Sequence, residues 1–353
     1  MVAFDFGSKN IKIAMGSNKD KHICLEYYEI IPCPKGAVVD GKIYEKSKIS
    51  EILKQFVKRN KIKRQKIMLN ISSGETILRT FDLPNMEEKE LKEAVKFELE
   101  HLLPEPIDNY VLDFNILEEY QREIEDGEKV SMIKVQIAAL PRSIIINYLT
   151  NFKKAGLKID IIDIQSNSIN RLFGSKKKYN NSFKDQGILG KNIAVIDLGN
   201  QKTTITILEF GKVFLSRVIY KGGRDITDII AQTLKRDIEE AEKWKINHNF
   251  LTDDSYVEVY SALKYYLEDF MMEIGNIIDY FVSRSIQKRL DGIYLIGGGA
   301  KAQGICQYFK NYTNIDTKLG NCYTNIHVKT KEEIFYGDFL YLCDVIGILL
   351  RKE

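Results

Sequence analysis

Ile193-Ala194-Val195-Ile196-Asp197-Leu198-Gly199-Asn200-Gln201-Lys202-Thr203 decides the reading of this chain. An apolar run ends in Asp-x-Gly, a polar turn follows, and Thr203 to Leu208 resumes as a strand. The same design opens the sequence. Val2-Ala3-Phe4-Asp5-Phe6-Gly7 runs into Ser8-Lys9-Asn10, and Ile11 to Met15 returns. A third strand is predicted after each hairpin, at His22 to Ile31 and at Lys212 to Ile219. Two similar meanders half a chain apart signal an internal duplication.

The chemistry of such a hairpin follows from its backbone. A tight turn presents N–H groups that bind phosphate oxygens. Gly7 and Gly199 allow a ligand close to the main chain. Ser8, Lys9, Asn10, Asn200 and Thr203 add side-chain donors, and Lys12 adds a point charge for a phosphate. Asp5 and Asp197 end their strands where they could hold a hydrated Mg²⁺ through water. Two facing hairpins would clamp a triphosphate and its ion. One Asp-x-Gly alone could equally be a strand-ending turn; the pairing favours the clamp.

Further from the hairpins, Ser50 to Asn60 has helical spacing and Lys66 to Ile71 reads as a strand. Glu87 to Leu103 is a charged amphipathic helix ended by Pro104 and Pro106. Val111 to Glu119 and Val130 to Leu140 read as strands joined by the polar loop Gln121 to Lys129. Ser143 to Ala155 is helical, Ile159 to Ile164 a strand, and Gln165 starts a helix to Phe173. Gly174 to Lys191, poor in apolar residues, predicts a linker or surface loop. Past the second meander come helices at Arg224 to Leu234, Asp237 to Trp244 and Ser255 to Arg289. The strand Gly292 to Ile296 runs into Gly297-Gly298-Gly299-Ala300, and Phe335 to Leu350 is a final helix. A strand–glycine–helix junction admits a flat ring or a phosphate, which makes Gly298, Gly299 and Ala300 candidate nucleotide contacts. Gly223 is a second such point, with a hinge or cap as its plainer explanation. Glu242 and Lys245 share a helix face and could grip a ribose or adenine edge, the simpler alternative being a solvated charged face.

Composition narrows the classes. At about 150 residues per domain, 353 residues make two to three domains. The 52 Lys+Arg against 49 Asp+Glu leave +3, which gives no reason to expect a nucleic-acid partner. The five cysteines form no C-x-x-C pair and the four histidines are scattered, against a disulfide framework or a zinc site. The N-terminus lacks the pattern of a secretory signal, and Phe339 to Leu350, broken by Asp344, is too short to span a membrane. A cytoplasmic chain without direct membrane insertion is the expectation.

In the order Asp5-x-Gly7…Lys12, Asp197-x-Gly199…Thr203, Ala241-Glu242-x-x-Lys245 and Gly297 to Ala300, the motifs resemble those of the actin-like ATPase superfamily. Within it the chain is most similar to the PilM family of type IV pilus assembly proteins. Glu90 to Ile107, Lys153 to Asp163 and Tyr220 to Lys245 carry that finer likeness. The resemblance implies an α/β, actin-like ATPase fold with two lobes around a cleft for ATP and Mg²⁺, and an FtsA-like inserted subdomain. Its expected layout is residues 1–83 and 160–190 for the first lobe and 84–159 for the insert. The second lobe would take 191–335, and a C-terminal helix at 336–353 would pack back on the core.

It implies further that a PilN-like bitopic membrane protein supplies a short cytoplasmic peptide to a groove on the insert. The helix at 90–103 and the strand at 130–140 would line that groove and offer a strand edge. Recruitment to the inner face of the membrane would follow through that partner. Gln165 stands in a similar place to a water-orienting glutamine, which would make the chain at most a slow ATPase, with hydrolysis itself left open. An FtsA-like or actin-like filament former is the alternative, and a small-molecule kinase a more distant one; self-association stays open. The segment Gly320-Asn321-Cys322-Tyr323 departs from the Asn-Pro-Phe-like loop expected there.

Overall fold

A computed structural model describes residues 1–19, 22–62, 64–124, 128–174, 190–251, 256–284, 288–321, 326–328 and 332–351. The chain opens with β1 (Val2–Phe6), β2 (Asn10–Lys19) and β3 (His22–Pro32), then a small hairpin of β4 (Val38–Val39) and β5 (Lys42–Ile43). Helix α1 (Lys46–Asn60) leads to β6 (Ile67–Ile71). Next come β7 (Ile77–Pro84), α2 (Glu88–Glu100), β8 (Tyr110–Glu123) and β9 (Lys129–Pro141). Helix α3 (Arg142–Lys154), β10 (Ile161–Ile164) and α4 (Gln165–Phe173) complete the first half. The second half holds β11 (Ile193–Leu198), β12 (Thr203–Glu209), β13 (Lys212–Ile219), α5 (Gly223–Leu234), α6 (Ile238–Asn247) and α7 (Val257–Val282). It ends with β14 (Gly292–Ile296), α8 (Ile305–Thr313), β15 (Thr317–Leu319), β16 (Ile326–Val328) and α9 (Glu332–Leu349).

The two meanders build two sheets of like design. Among the described residues the first runs β10-β6-β1-β2-β3-β16 and the second β13-β12-β11-β14-β15. In each, the Asp-x-Gly strand pairs antiparallel with its return strand and parallel with a strand from later in the chain. Strands β1 and β6 are buried along their whole length, as a central parallel pair covered on both faces must be. One face of the first sheet packs on α1 and α3 around Phe4, Phe56, Tyr148 and Phe152, with the Phe4 ring edge-on to those of Phe56 and Phe152. The opposite side shares a core with the second sheet, α4 and α9.

Strands β7, β9 and β8 make a third sheet covered by α2 through Leu91, Val95 and Leu99. The sequence reading has no strand between Ile71 and Pro84; the structure places β7 there. That strand changes what β9 can do. The segment 130–140, expected to offer an edge, lies between β7 and β8 with both edges paired. The exposed edges belong instead to its neighbours. Most of the linker expected at 174–191, the loop tip at 125–127 and Cys322 to Tyr323 lie outside the described residues.

Helix α9 is almost wholly apolar from Phe339 to Leu349 and is buried there. Among the described residues, no helix is long and apolar enough to cross a membrane. The apolar surface of α9 is used inside the fold, where it crosses α4. Gly347 makes the crossing possible, because a Cβ at that position would stand 2.2 Å from the Ser168 carbonyl oxygen.

Candidate nucleotide cleft between the lobes

The two hairpins face each other across a cavity of about 380 Å³. The Gly7 N–H closes its turn on the Asn10 carbonyl at 3.0 Å, and the Gly199 N–H closes on Lys202 at 3.1 Å. A Cβ on Gly199 would lie 2.5 Å from that same Lys202 oxygen, so only glycine lets the turn close. The tips touch, with Asn200 Nδ2 3.4 Å from Ser8 Oγ. Among the described residues, the N–H groups of Ser8, Lys9, Asn200 and Gln201 have no intramolecular acceptor. They are the donors that an oxyanion would use.

At the floor of the cavity lie Asp5, Asp197, Asp344 and Gln165, with Lys12 among them. Lys12 Nζ donates to Asp5 Oδ2 at 2.6 Å, and Asn70 Nδ2 holds the other Asp5 oxygen at 3.2 Å. Gln165 donates from Nε2 to Asp197 Oδ2 at 2.7 Å and to Asp344 Oδ2 at 3.1 Å. Its Oε1 accepts from Ser72 Oγ at 2.7 Å. The amide is thereby fixed at both ends. Burial raises the pKa of Asp197, against the opposing pull of Lys12, and Asp5 adds to the rise. Burial, with Asp5 and Asp197 nearby, raises Asp344 well above the usual carboxylate range. Burial alone would lower Lys12, but Asp5, Asp344 and Asp197 reverse this and raise it.

The opposite end of the cavity is apolar. Phe250, Leu251, Phe270, Ile305 and Phe309 wall it, and Gly297 to Gly299 bring bare backbone to its edge. Gly297 has φ +82°, and a Cβ there would stand 2.1 Å from Asp197 Oδ1. Glu242 and Lys245 border this end, 2.7 Å apart. Lys245 Nζ also donates to the Gly223 carbonyl at 2.7 Å. Across the cavity, Lys9 Nζ reaches Glu242 Oε1 at 2.5 Å, an ion pair between the lobes. Burial would raise the Glu242 pKa, but Lys245, Lys9 and the Thr227 hydroxyl bring it down to about 2. Lys245 moves the other way from its partner's pull, since burial outweighs Glu242 and lowers it.

A depressed carboxylate contributes stability above its ordinary pKa of 4.5, and that contribution is lost as pH falls toward about 2. Acid titration of unfolding is therefore expected to show a steeper loss between these values in the wild type than in Glu242→Gln. Equal slopes would exclude a role for the Lys9–Glu242–Lys245 group in joining the lobes.

The structure brings most of the expected residues to this cavity. Asp5, Gly7, Ser8, Lys9, Asn10, Lys12, Gln165, Asp197, Gly199, Asn200, Thr203, Gly223, Glu242, Lys245, Gly298 and Gly299 all line it. Ala300 does not; it is 2% exposed and sits in the core beneath the turn. Thr203 turns its hydroxyl to the Lys221 carbonyl at 2.9 Å. Sequence reasoning missed Asp344, Ser72, Asp40 and Lys202. A lone acid inside the apolar run Phe339 to Leu350 was the readable signal for Asp344. The others act through contacts between distant loops, and no local pattern announces them.

The residues fit a nucleotide and its ion. The unpaired N–H groups suit phosphate, and the apolar end suits a flat base. Oδ1 of Asp344 is buried without a partner among the described residues, in an acid-rich floor that a hard cation would relieve. Among the described residues, no three carboxylate, histidine or cysteine side chains stand close enough to ligate an ion directly. The donors are of the kind that reach a cation through its waters.

Comparisons with known proteins agree with this architecture. The chain is 29% identical over 146 residues to the cell division protein FtsA of Bacillus subtilis (strain 168), over 40% of this chain and 31% of that protein. It thus spans less than half the length of the curated relatives it matches. A solved PilM–PilN type IV pilus biogenesis complex superposes with a TM-score of 0.81 at 22% identity, over 99% of this chain and 97% of that one. MreB5 of Spiroplasma citri, solved bound to AMPPNP, superposes at 0.50 with 14% identity, over 98% and 93%. The fold is that of the actin-like ATPases. The family model for type IV pilus assembly protein PilM matches residues 3–352, and the chain belongs to that family.

Proposed function

We propose that the chain is the nucleotide-binding component of a type IV pilus assembly complex and docks the cytoplasmic segment of a PilN-like membrane protein. The single observation that carries the nucleotide reading is the pair of facing hairpins with free N–H groups above an acidic floor. The likeness to MreB5 bound to AMPPNP supports it. Ser8, Lys9, Asn10 and Asn200 would hold phosphates. Asp5, Asp197 and Asp344 would face Mg²⁺, which when bound neutralises phosphate charge. The apolar end with Glu242 and Lys245 would take the nucleoside.

The likeness to a structure solved as a PilM–PilN complex supports the partner. Residues 84–159 are its proposed platform, and recruitment to the inner face of the membrane would follow from that docking. Phe97 of α2 and Leu102 in the turn after it, with Val111 and Ile116 of the edge strand β8, expose apolar surface there. A peptide that adds to a sheet edge and fills such positions uses a known mode of recognition.

Gln165 is the proposed water-orienting residue. Its amide is occupied at both ends, which suits slow turnover. Gln165→Ala is expected to abolish what hydrolysis there is while sparing binding; turnover at the wild-type rate would dismiss the role. Calorimetric titration of the wild type with Mg·ATP tests the reading as a whole. It is followed by titration with the N-terminal PilN-like peptide, with and without nucleotide. Saturable nucleotide binding that changes peptide affinity is expected. A well-folded chain that takes the peptide equally with or without nucleotide would be a scaffold instead.

A further inference from the structure

We propose that Lys202 distinguishes a nucleoside triphosphate from a diphosphate, with Asp40 as the resident competitor for its ammonium group. This rests on the nucleotide reading above and adds how the site reads the ligand's state. Lys202 stands on the tip of the second hairpin, and its side chain crosses to the first lobe. Its Nζ lies 2.6 Å from Asp40 Oδ1 and 2.9 Å from the Ser72 carbonyl oxygen. Ser72 is also the residue whose hydroxyl holds Gln165 Oε1, at 2.7 Å. Through that one residue the ammonium is joined to the acidic floor, where its charge acts on Asp197. The nucleoside end, with Glu242 and Lys245, lies elsewhere in the cavity. Lys202 therefore stands where the outermost phosphate of a bound nucleotide would come.

The chemistry of the pair permits an exchange. An ammonium group has three donors. Two are engaged here, on Asp40 and on Ser72. The Ser72 bond can persist while a phosphate oxygen replaces the carboxylate. Asp40 is not orphaned by that exchange. Its Oδ1 also accepts the Gly74 N–H at 2.9 Å, and its Oδ2 accepts the Tyr220 hydroxyl at 3.0 Å. The Lys202 and Asp40 side chains are each only 17% exposed, so solvent screens their attraction incompletely. Lys12 cannot serve as the reader, because it is committed to the carboxylates of the floor. A diphosphate would leave Lys202 on Asp40; a triphosphate would draw it away.

The test is calorimetric titration of the full chain with Mg·ATP and with Mg·ADP, for wild type, Lys202→Met and Asp40→Asn. Lys202→Met is expected to weaken ATP by about tenfold or more and to change ADP by less than about twofold, as loss of one charge-assisted phosphate contact does. Asp40→Asn is expected to tighten ATP by a few-fold and leave ADP unchanged, since it removes the competitor. Lys202→Arg should recover part of the ATP preference. Equal loss of both nucleotides in Lys202→Met, or no loss of either, overturns the proposal while leaving the nucleotide reading intact. Failure of the wild type to bind either nucleotide overturns both. Should Lys202→Met fail to fold, unchanged ATP affinity in Asp40→Asn is by itself enough to overturn it.

Discussion

Replacing Lys12 by alanine is expected to lower the unfolding free energy by about 3–5 kcal/mol, the usual loss when one partner of a buried ion pair is removed. Lys12 Nζ sits 2.6 Å from Asp5 Oδ2, and the Asp5 side chain is 4% exposed. Asp197 and Asp344 share the same floor, tied to each other through Gln165. Without the ammonium group, three carboxylates would face one another with only the more distant Lys202, itself held on Asp40, as counter-charge. The variant should also acquire a pH dependence of definite sign. Asp197 and Asp344 already have raised pKa values, from burial first and then from neighbouring acids. A buried acid of this kind keeps its proton after the unfolded chain has lost its own. Stability is then present at low pH and falls as pH rises from the ordinary carboxylate value through the raised one. Urea denaturation of Lys12→Ala should show a larger drop from pH 5 to pH 8 than the wild type does. Asp344→Asn in the same background should recover about 1.4 kcal/mol per unit of pKa elevation that it removes. Wild-type stability of Lys12→Ala at both pH values would show that the floor does not depend on this cation.

The second large effect concerns two helix glycines with opposite expected signs. In an exposed helix, alanine is favoured over glycine by about 1 kcal/mol. Gly275 on α7 has nothing within 4 Å of an added Cβ, so Gly275→Ala should gain up to that amount. Gly347 on α9 should reverse the sign. Its added Cβ would stand 2.2 Å from the Ser168 carbonyl oxygen and 2.6 Å from the carbonyl carbon, both rigid backbone atoms of α4. Separation of the two helices is the only relief, and overpacking of this kind costs about 1–3 kcal/mol. Gly347→Val should cost more still, because its branches enter the same seam. Thermal melts of the two alanine variants side by side make the test. A Gly347→Ala chain that melts at or above the wild type would mean that α9 does not press on α4 in solution.

What was legible in the sequence was whatever repeats or punctuates locally. The two Asp-x-Gly hairpins show because strand alternation, a glycine and a polar turn occur together twice. Pro104 and Pro106 mark the end of α2, and the run Gly297 to Ala300 marks the junction after β14. What was not legible depends on distant pieces meeting. Asp40 occupies an ordinary turn between two short strands, and only the fold brings Lys202, Gly74 and Tyr220 to it. Ser72 reads as loop, yet it holds both Gln165 and Lys202. Strand β7 went unread, and with it the fact that β9 is central rather than an edge. Asp344 was visible as a lone acid in an apolar helix. The floor that it shares with Asp5 and Asp197 was not, because three separate segments of the chain meet there.

The joint between the lobes has a mechanical consequence. The chain passes from the first sheet to the second between α4 and β11, and returns when β16 lies parallel beside β3. Helix α9 then lies over the seam, seated on α4 at Gly347. Pulling the halves straight apart would strip β16 from its neighbour and lift α9 from its seat. A roll of one half over the other about the Gly347–Ser168 contact would strain both less than a straight pull. The molecule is thus built as a pair of tongs with a fulcrum at the helix crossing. Lys9 and Glu242 lie on opposing jaws, so a few degrees of roll at the fulcrum translates into opening or closing of the gap between them.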